Sequence, residues 1–329
     1  MVAPDGLKPV GGSSLVLHME PVGPLGSSRS TPPRADEGSL ERATLAALDG
    51  LLAALTLEPM GADRFRAHGE ADRFDRVFGG QVVAQALLAA SATVVLKEPD
   101  SLHAYFVEAG VPGQPVDLVV ERIRDGRSIS TRRVTVWQGR RQLLVAILSF
   151  HAGEPEPELE LAEATPSDPG PDGLPLLQDW VLDFSPEQRL YGLSWVEHPP
   201  PLELRMGEPP NFMGGPNAQG PRTHWMRLPR SVGDDPLLHT ALLAYASDYL
   251  LLDMVLRAYP DRAALESFTC FSLDHSLWFH RPVRLDGWHR HTQETQAISG
   301  LRGLVRGQIR DAEGRLVASA MQEGLVRPT

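Results

Sequence analysis

Two stretches of this sequence, about 79–151 and 239–326, share one order: a long apolar helix, then four alternating extended segments. In the first stretch the helix spans about 79–95 and the strands lie near 101–109, 115–124, 128–138 and 142–151. In the second the helix spans about 239–258 and the strands lie near 269–284, 288–298, 303–310 and 315–326. Short turns such as Gln138-Gly139 and Asp311-Ala312-Glu313-Gly314 join the strands. His103-Ala104-Tyr105-Phe106 is echoed by His275-Ser276-Leu277-Trp278-Phe279. A helix followed by an antiparallel meander predicts a sheet wrapped around one buried helix. Two such units in tandem predict an α+β pseudo-dimer built by duplication.

The chain of 329 residues has room for both units and a sizeable core. Residues 1–38 are rich in Gly, Pro and Ser without periodicity, and are expected to be disordered, with Met19 as an alternative start. Order is expected from Ser39-Leu40-Glu41, an N-cap signal leading into a helix to about Leu57. The N-terminal domain is then 39–152, and 153–200 is a linker with the breakers Glu154-Pro155-Glu156-Pro157 and Pro169-Gly170-Pro171-Asp172-Gly173. Apolar patches around Trp180 and Tyr191 predict that its later part packs as a short helix against a domain. The C-terminal domain is 201–329.

Composition narrows the function. A net charge of -11 argues against a nucleic-acid partner, and Arg132-Arg133 and Arg140-Arg141 read as solvated strand or turn edges. The one cysteine, Cys270, lies in an apolar run and reads as a packed core residue, which excludes an intramolecular disulfide and favours a reducing compartment. No apolar run approaches the ~20 residues of a membrane span, and neither a secretory h-region nor a peroxisomal C-terminal address is seen. The cytoplasm is the default expectation.

Several residues stand out chemically. On a helical period Asp248 shares an apolar face with Ala244, Tyr245, Leu251, Leu252 and Val255. A carboxylate desolvated there would be raised toward the range of a general base. The pattern alone leaves open a structural Asp bonded to backbone. Asp253 shares its face with Arg257, which predicts a surface ion pair. Gln322 shares a strand side with Leu316, Ala318 and Ala320, and its amide offers both a donor and an acceptor. Alternation turns Ser272, Asp274 and Ser276 one way and Leu273, His275 and Leu277 the other, so Ser272, Asp274 and His275 are not expected to assemble locally, and His275 reads as a core or interface histidine. No Gly-x-Ser-x-Gly elbow occurs. His289-Arg290-His291 puts two imidazoles on one face without the companions of a metal site, so no metal is expected. Gly79-Gly80 precedes a helix and offers N–H groups to an anion or a carbonyl oxygen.

Longer motifs carry a resemblance. They are Arg76-Val77-Phe78-Gly79-Gly80-Gln81-Val82-Val83-Ala84-Gln85-Ala86-Leu87, Arg124-Asp125-Gly126-Arg127-Ser128, Asp172-Gly173-Leu174-Pro175, Tyr245-Ala246-Ser247-Asp248, Asp274-His275-Ser276-Leu277-Trp278-Phe279-His280-Arg281-Pro282, Val305-Arg306-Gly307 and Val317-Ala318-Ser319 through Gln322-Glu323-Gly324. In this order, from about residue 45 to 327, they resemble the type II (TesB-like) acyl-CoA thioesterases, with two hot-dog domains per chain. The resemblance implies a water bound by Asp248, Ser272 and Gln322, with Ser standing where Thr is commonest. It implies substrate or oxyanion contacts near Gly79, Gly80 and Gln81, no cofactor, an acyl-CoA substrate, and a homo-oligomer, dimer or tetramer. At Glu108-Ala109 the sequence departs from the Arg-Pro of the family, which puts substrate preference or assembly in doubt. Two alternatives remain at this stage. One is a non-catalytic acyl-CoA binder, and the other an enoyl-CoA hydratase suggested by Asp234-Asp235-Pro236-Leu237-Leu238-His239.

Overall fold

The computed structural model describes residues 16–18, 37–70, 76–153, 170–182, 194–259 and 267–328. Of the stretch expected to be disordered, Val16–His18 form a short strand, β1, and helix α1 (Glu37–Ala54) begins just before its end; the rest lies outside the described residues. Next come β2 (Glu58–Gly61), β3 (Arg64–Ala67), α2 (Gly79–Ser91), β4 (Glu98–Phe106), β5 (Val116–Asp125), β6 (Ile129–Gln138) and β7 (Arg141–His151). After the single turn α3 (Asp179–Leu182) follow β8 (Glu203–Met206), β9 (Arg222–Arg227), α4 (Pro236–Ala246), α5 (Leu251–Ala258), β10 (Ser267–Ser272), β11 (Asp274–Phe279), β12 (His289–Ser299), β13 (Arg302–Arg310) and β14 (Leu316–Pro328).

The strands form one antiparallel sheet in the order β2-β3-β5-β6-β7-β4-β11-β14-β13-β12-β9-β8, with β10 beside β14 and β1 beside β10. Each half is a sheet curled around its own buried helix, α2 in the first and α5 in the second, and β4 paired with β11 joins them. This is the double hot-dog architecture. The short strands β2, β3, β8 and β9 extend the four-strand meanders read from the sequence. Their brevity explains why alternation did not reveal them.

Where the observed elements differ from the sequence reading, the differences shape the site. The expected helix over 239–258 is broken into α4 and α5, with Leu250 in a left-handed conformation at φ 66°. Ser247 returns its hydroxyl to Ala244 O, and Gln293 from β12 donates to the Tyr249 carbonyl that the break sets free. The segment is buried all round from Ala241 to Leu251, so Asp248 is desolvated as expected, but the apolar face assigned to it is not set off from an exposed one. The expected strand over 269–284 is interrupted at Leu273. Ser272 pairs with Gly324 but Ser276 pairs with Met321, so four residues on this edge span three on β14. That is a β-bulge, and it shifts side-chain parity across Leu273.

The echo between His103 and His275 is also not a structural equivalence. His103 is exposed on the outer face, whereas His275 is fully buried on the inner one. Equivalent positions must share a face, and a one-residue slip reverses it.

Two charged residues were misplaced by the sequence reading. Arg132 is not a solvated edge: it is fully buried, bonding Thr93 at the end of α2, the carbonyls of Arg124 and Thr131, and Asp125. Arg133, Arg140 and Arg141 are exposed. Asp253 is not on the surface and does not pair with Arg257. It is buried, 2.6 Å from Arg222, and accepts from the N–H groups of Asn211 and Phe212, while Arg257 pairs with Glu208. The long polar tips reach backbone and ionic partners that helical spacing cannot reveal. Cys270 is a packed core residue, its thiol pushed up to about 12 by burial. Because Asp253→Ala would strand Arg222 without its counter-ion, unfolding in denaturant should show a loss of about 3–5 kcal/mol.

Candidate active site

Asp248 lies in the break between α4 and α5, and it faces the N-terminus of α2 in the other half. Its Oδ2 accepts from the Gly80 N–H at 2.8 Å. Glycines make that approach possible: a Cβ on Gly80 would stand 2.4 Å from the Tyr245 carbonyl, and one on Gly79 would stand 2.7 Å from Asp248 Oδ2. Apolar groups crowd this approach: Phe106 borders Gly79, Phe78 borders Gly80, and the rings of Phe78, Tyr245 and Tyr249 meet edge-on or tilted. This desolvation pushes Asp248 up to about 7, against the opposing hydrogen bonds from Gly80 and the Gln322 side chain.

Gln322 on β14 joins the remaining groups. Its Nε2 donates to Ser272 Oγ, and its Oε1 is 2.7 Å from His275 Nδ1. His275 Nε2 is 2.9 Å from Ser247 Oγ, and its Nδ1 is 3.9 Å from Asp248 Oδ1. Ser272 and His275 reach one amide because the bulge at Leu273 brings them to the same side. The expectation that they could not assemble assumed unbroken alternation. Asp274 fastens the bulge, accepting from the Glu323 N–H at 2.7 Å, while Leu273 N–H donates to Glu323 O. His275 is a buried histidine at the junction of the halves, as its sequence context suggested, and it also belongs to this cluster. Burial lowers it to about 4, which leaves the imidazole neutral near neutrality.

Other expected groups do other work. The Gly80 N–H is engaged by Asp248, whereas no hydrogen bond occupies the Gly79 N–H among the described residues. Gln81 is engaged elsewhere: its Oε1 accepts from Glu70 N and its Nε2 reaches Gln85, so it anchors Glu70 to α2. Glu108 and Ala109 are exposed after β4 and make no polar contact with the cluster. His289 and His291 share a face of β12, and His291 abuts His224. Among the described residues no group of three or more His, Cys, Asp or Glu could hold a metal ion.

Family models bear on this geometry. The model described as "Acyl-CoA thioesterase N-terminal domain" matches residues 67–151, and "Acyl-CoA thioesterase C-terminal domain" matches residues 164–326. The chain belongs to the TesB-like acyl-CoA thioesterases. It is 33% identical over 302 residues to acyl-coenzyme A thioesterase 8 of Mus musculus, covering 89% of this chain and 93% of that protein. It is 31% identical over 294 residues to acyl-CoA thioesterase 2 of Haemophilus influenzae, covering 85% and 98%. The crystal structure of the acyl-CoA thioesterase II TesB2 from Mycobacterium marinum superposes with a TM-score of 0.67 at 29% identity, covering 86% and 98%. The protein is an acyl-CoA thioesterase and hydrolyses acyl-CoA.

The raised carboxylate of this thioesterase has a stability consequence. The folded chain keeps the Asp248 proton up to about pH 7, whereas the unfolded chain releases it near 3.8. Stability therefore falls as pH rises through that window, by a ceiling of roughly 4 kcal/mol. Asp248→Asn removes the penalty. Thermal melts should place the variant above the wild type at about pH 8, with the gap closing toward about pH 4.

Proposed function

We propose that Asp248 is the general base of the hydrolysis and that Ser272 and Gln322 hold the attacking water. The observation that carries this reading is a carboxylate titrating near 7 beside a hydroxyl and an amide that bond one another. Gln322 donates to Ser272 Oγ, which leaves the serine O–H free to donate to a water oxygen. One water proton passes to Asp248, and the hydroxide attacks the thioester carbonyl carbon. The C=O π pair moves to oxygen, where the Gly79 N–H at the positive end of α2 is the candidate donor to the oxyanion. The tetrahedral intermediate collapses by breaking the C–S bond. CoA leaves as thiolate and recovers the proton from Asp248, so no covalent enzyme intermediate or cofactor is required.

An enoyl-CoA hydratase reading has less to support it. His239 spends Nε2 on Gly233 O and Nδ1 on the Leu285 N–H, and Asp234 pairs with Arg284 at the surface. For assembly, our reading is a homo-oligomer: Tyr105, Ile147 and Trp278 are each exposed on the outer face of β4, β7 and β11, with His103 and Ser276 between them, a surface suited to a second copy. Light scattering should give a mass of two or four times 36.0 kDa; a monomer would overturn that reading. Among the described residues no helix is long and apolar enough to cross a membrane, and the single buried cysteine suits a reducing cytoplasm.

The test is CoA release from short-, medium- and long-chain acyl-CoAs, read with a thiol reagent. In the wild type kcat/KM should rise tenfold per pH unit up to about 7 and then level, since only ionised Asp248 accepts the proton. Asp248→Asn should lower kcat by roughly 10²-fold or more. Unchanged turnover would remove Asp248 from the mechanism.

A further inference from the structure

A primary amide has two ends of nearly the same shape and opposite polarity, so the Gln322 side chain can help the water site or spoil it. With its NH2 toward Ser272 and Asp248 it donates to both. Turned over, it would set a carbonyl oxygen against a carboxylate. Ser272 cannot decide between these states, because a hydroxyl accepts or donates equally well. The deciding contact lies at the other end of the amide, where His275 Nδ1 is 2.7 Å from Gln322 Oε1.

We propose that His275 is a positioning residue whose Nδ1–H holds the Gln322 carbonyl oxygen and so turns the Gln322 NH2 toward Ser272 and Asp248. The proposal rests on the reading of those three residues as the water site. An amide oxygen only accepts, so the bond requires the Nδ1–H tautomer. A neutral imidazole then leaves a lone pair on Nε2, and Ser247 Oγ, 2.9 Å away, donates to it when its single proton turns there from Ala244 O. Ser247 also has Ala244 O within 2.8 Å, so its own proton does not fix the tautomer. Asp248 favours the same choice: its Oδ1 is 3.9 Å from Nδ1, which draws the imidazole proton to that nitrogen. His291, a second imidazole near His275, is fully buried and pushed down to about 3, so it stays neutral and does not compete. His275 itself is wholly buried, which denies water a chance to replace the missing donor.

The arrangement gives His275 a signature that packing alone lacks. In His275→Leu the amide is free to turn, Asp248 loses a donor to its ionised form, and its acid limb should move to higher pH. We expect kcat to fall about 10–100-fold with KM within about threefold. His275→Asn places an N–H close to the position of Nδ1–H and should recover much of the rate and the position of the limb. His275→Gln, which reaches toward the Nε2 position instead, should not. A folded His275→Leu with wild-type kcat and an unmoved limb would overturn the proposal, as would Asn rescuing no better than Gln. The tautomer is read separately on the full-length wild type by 15N NMR of labelled histidine, with the His275 signal assigned by its loss in His275→Asn. A proton on Nδ1 is expected, and a proton on Nε2 would overturn the proposal even if every variant failed to fold. A wild type that released no CoA would instead sink the water-site reading, and the tautomer measurement would still decide the hydrogen bond.

Discussion

The carboxylate of Asp248 comes from the second half of the chain and accepts its backbone hydrogen bond from Gly80 in the first. Each half is incomplete without the other at this contact. The second half supplies a desolvated anion, and the first supplies an N–H at the positive end of a helix. A carboxylate this buried is held near 7, so neighbouring elements must approach closely enough to exclude water while leaving one donor to steady the charge. The absence of a Cβ at Gly79 and Gly80 allows that approach, and the break between α4 and α5 turns the carboxylate toward it.

The bulge at Leu273 is the second device on which the cluster depends. It brings Ser272 and His275 together on Gln322, and Asp274 occupies the displaced ladder position so that the Glu323 N–H keeps an acceptor. Strand alternation cannot supply two consecutive odd-spaced side chains to one partner, and an extra residue can. The two irregularities, one in a helix and one in a strand, lie on either side of the same pocket of polar groups.

Much of the architecture was legible in the sequence because it rests on periodicity. The meander strands β5, β6, β7, β12 and β13 lie within a residue of their expected ends, since alternation over ten residues is a strong signal. Asp248 and Gln322 were visible as polar groups in apolar surroundings. What periodicity hides is its own interruption. The left-handed Leu250 and the extra residue near Leu273 carry no composition signal, so the helix of Asp248 was read as unbroken and Ser272 was read as facing away from His275. Long-range partners were equally hidden: nothing local says that Asp253 meets Arg222, or that Arg132 lies inside.

The two curled sheets are alike in shape and unlike in lining. The inward row of β7 is Leu144, Ala146, Leu148 and Phe150, while that of β14 carries Gln322 among Ala318, Ala320 and Val326. Two identical subunits meeting about a twofold axis would repeat every polar group in both clefts, with the desolvation cost incurred twice. A covalent tandem is free of that symmetry. One cleft can concentrate ionisable and amide groups while its twin turns into ordinary hydrophobic core, so mutations on the two sides are selected for different ends.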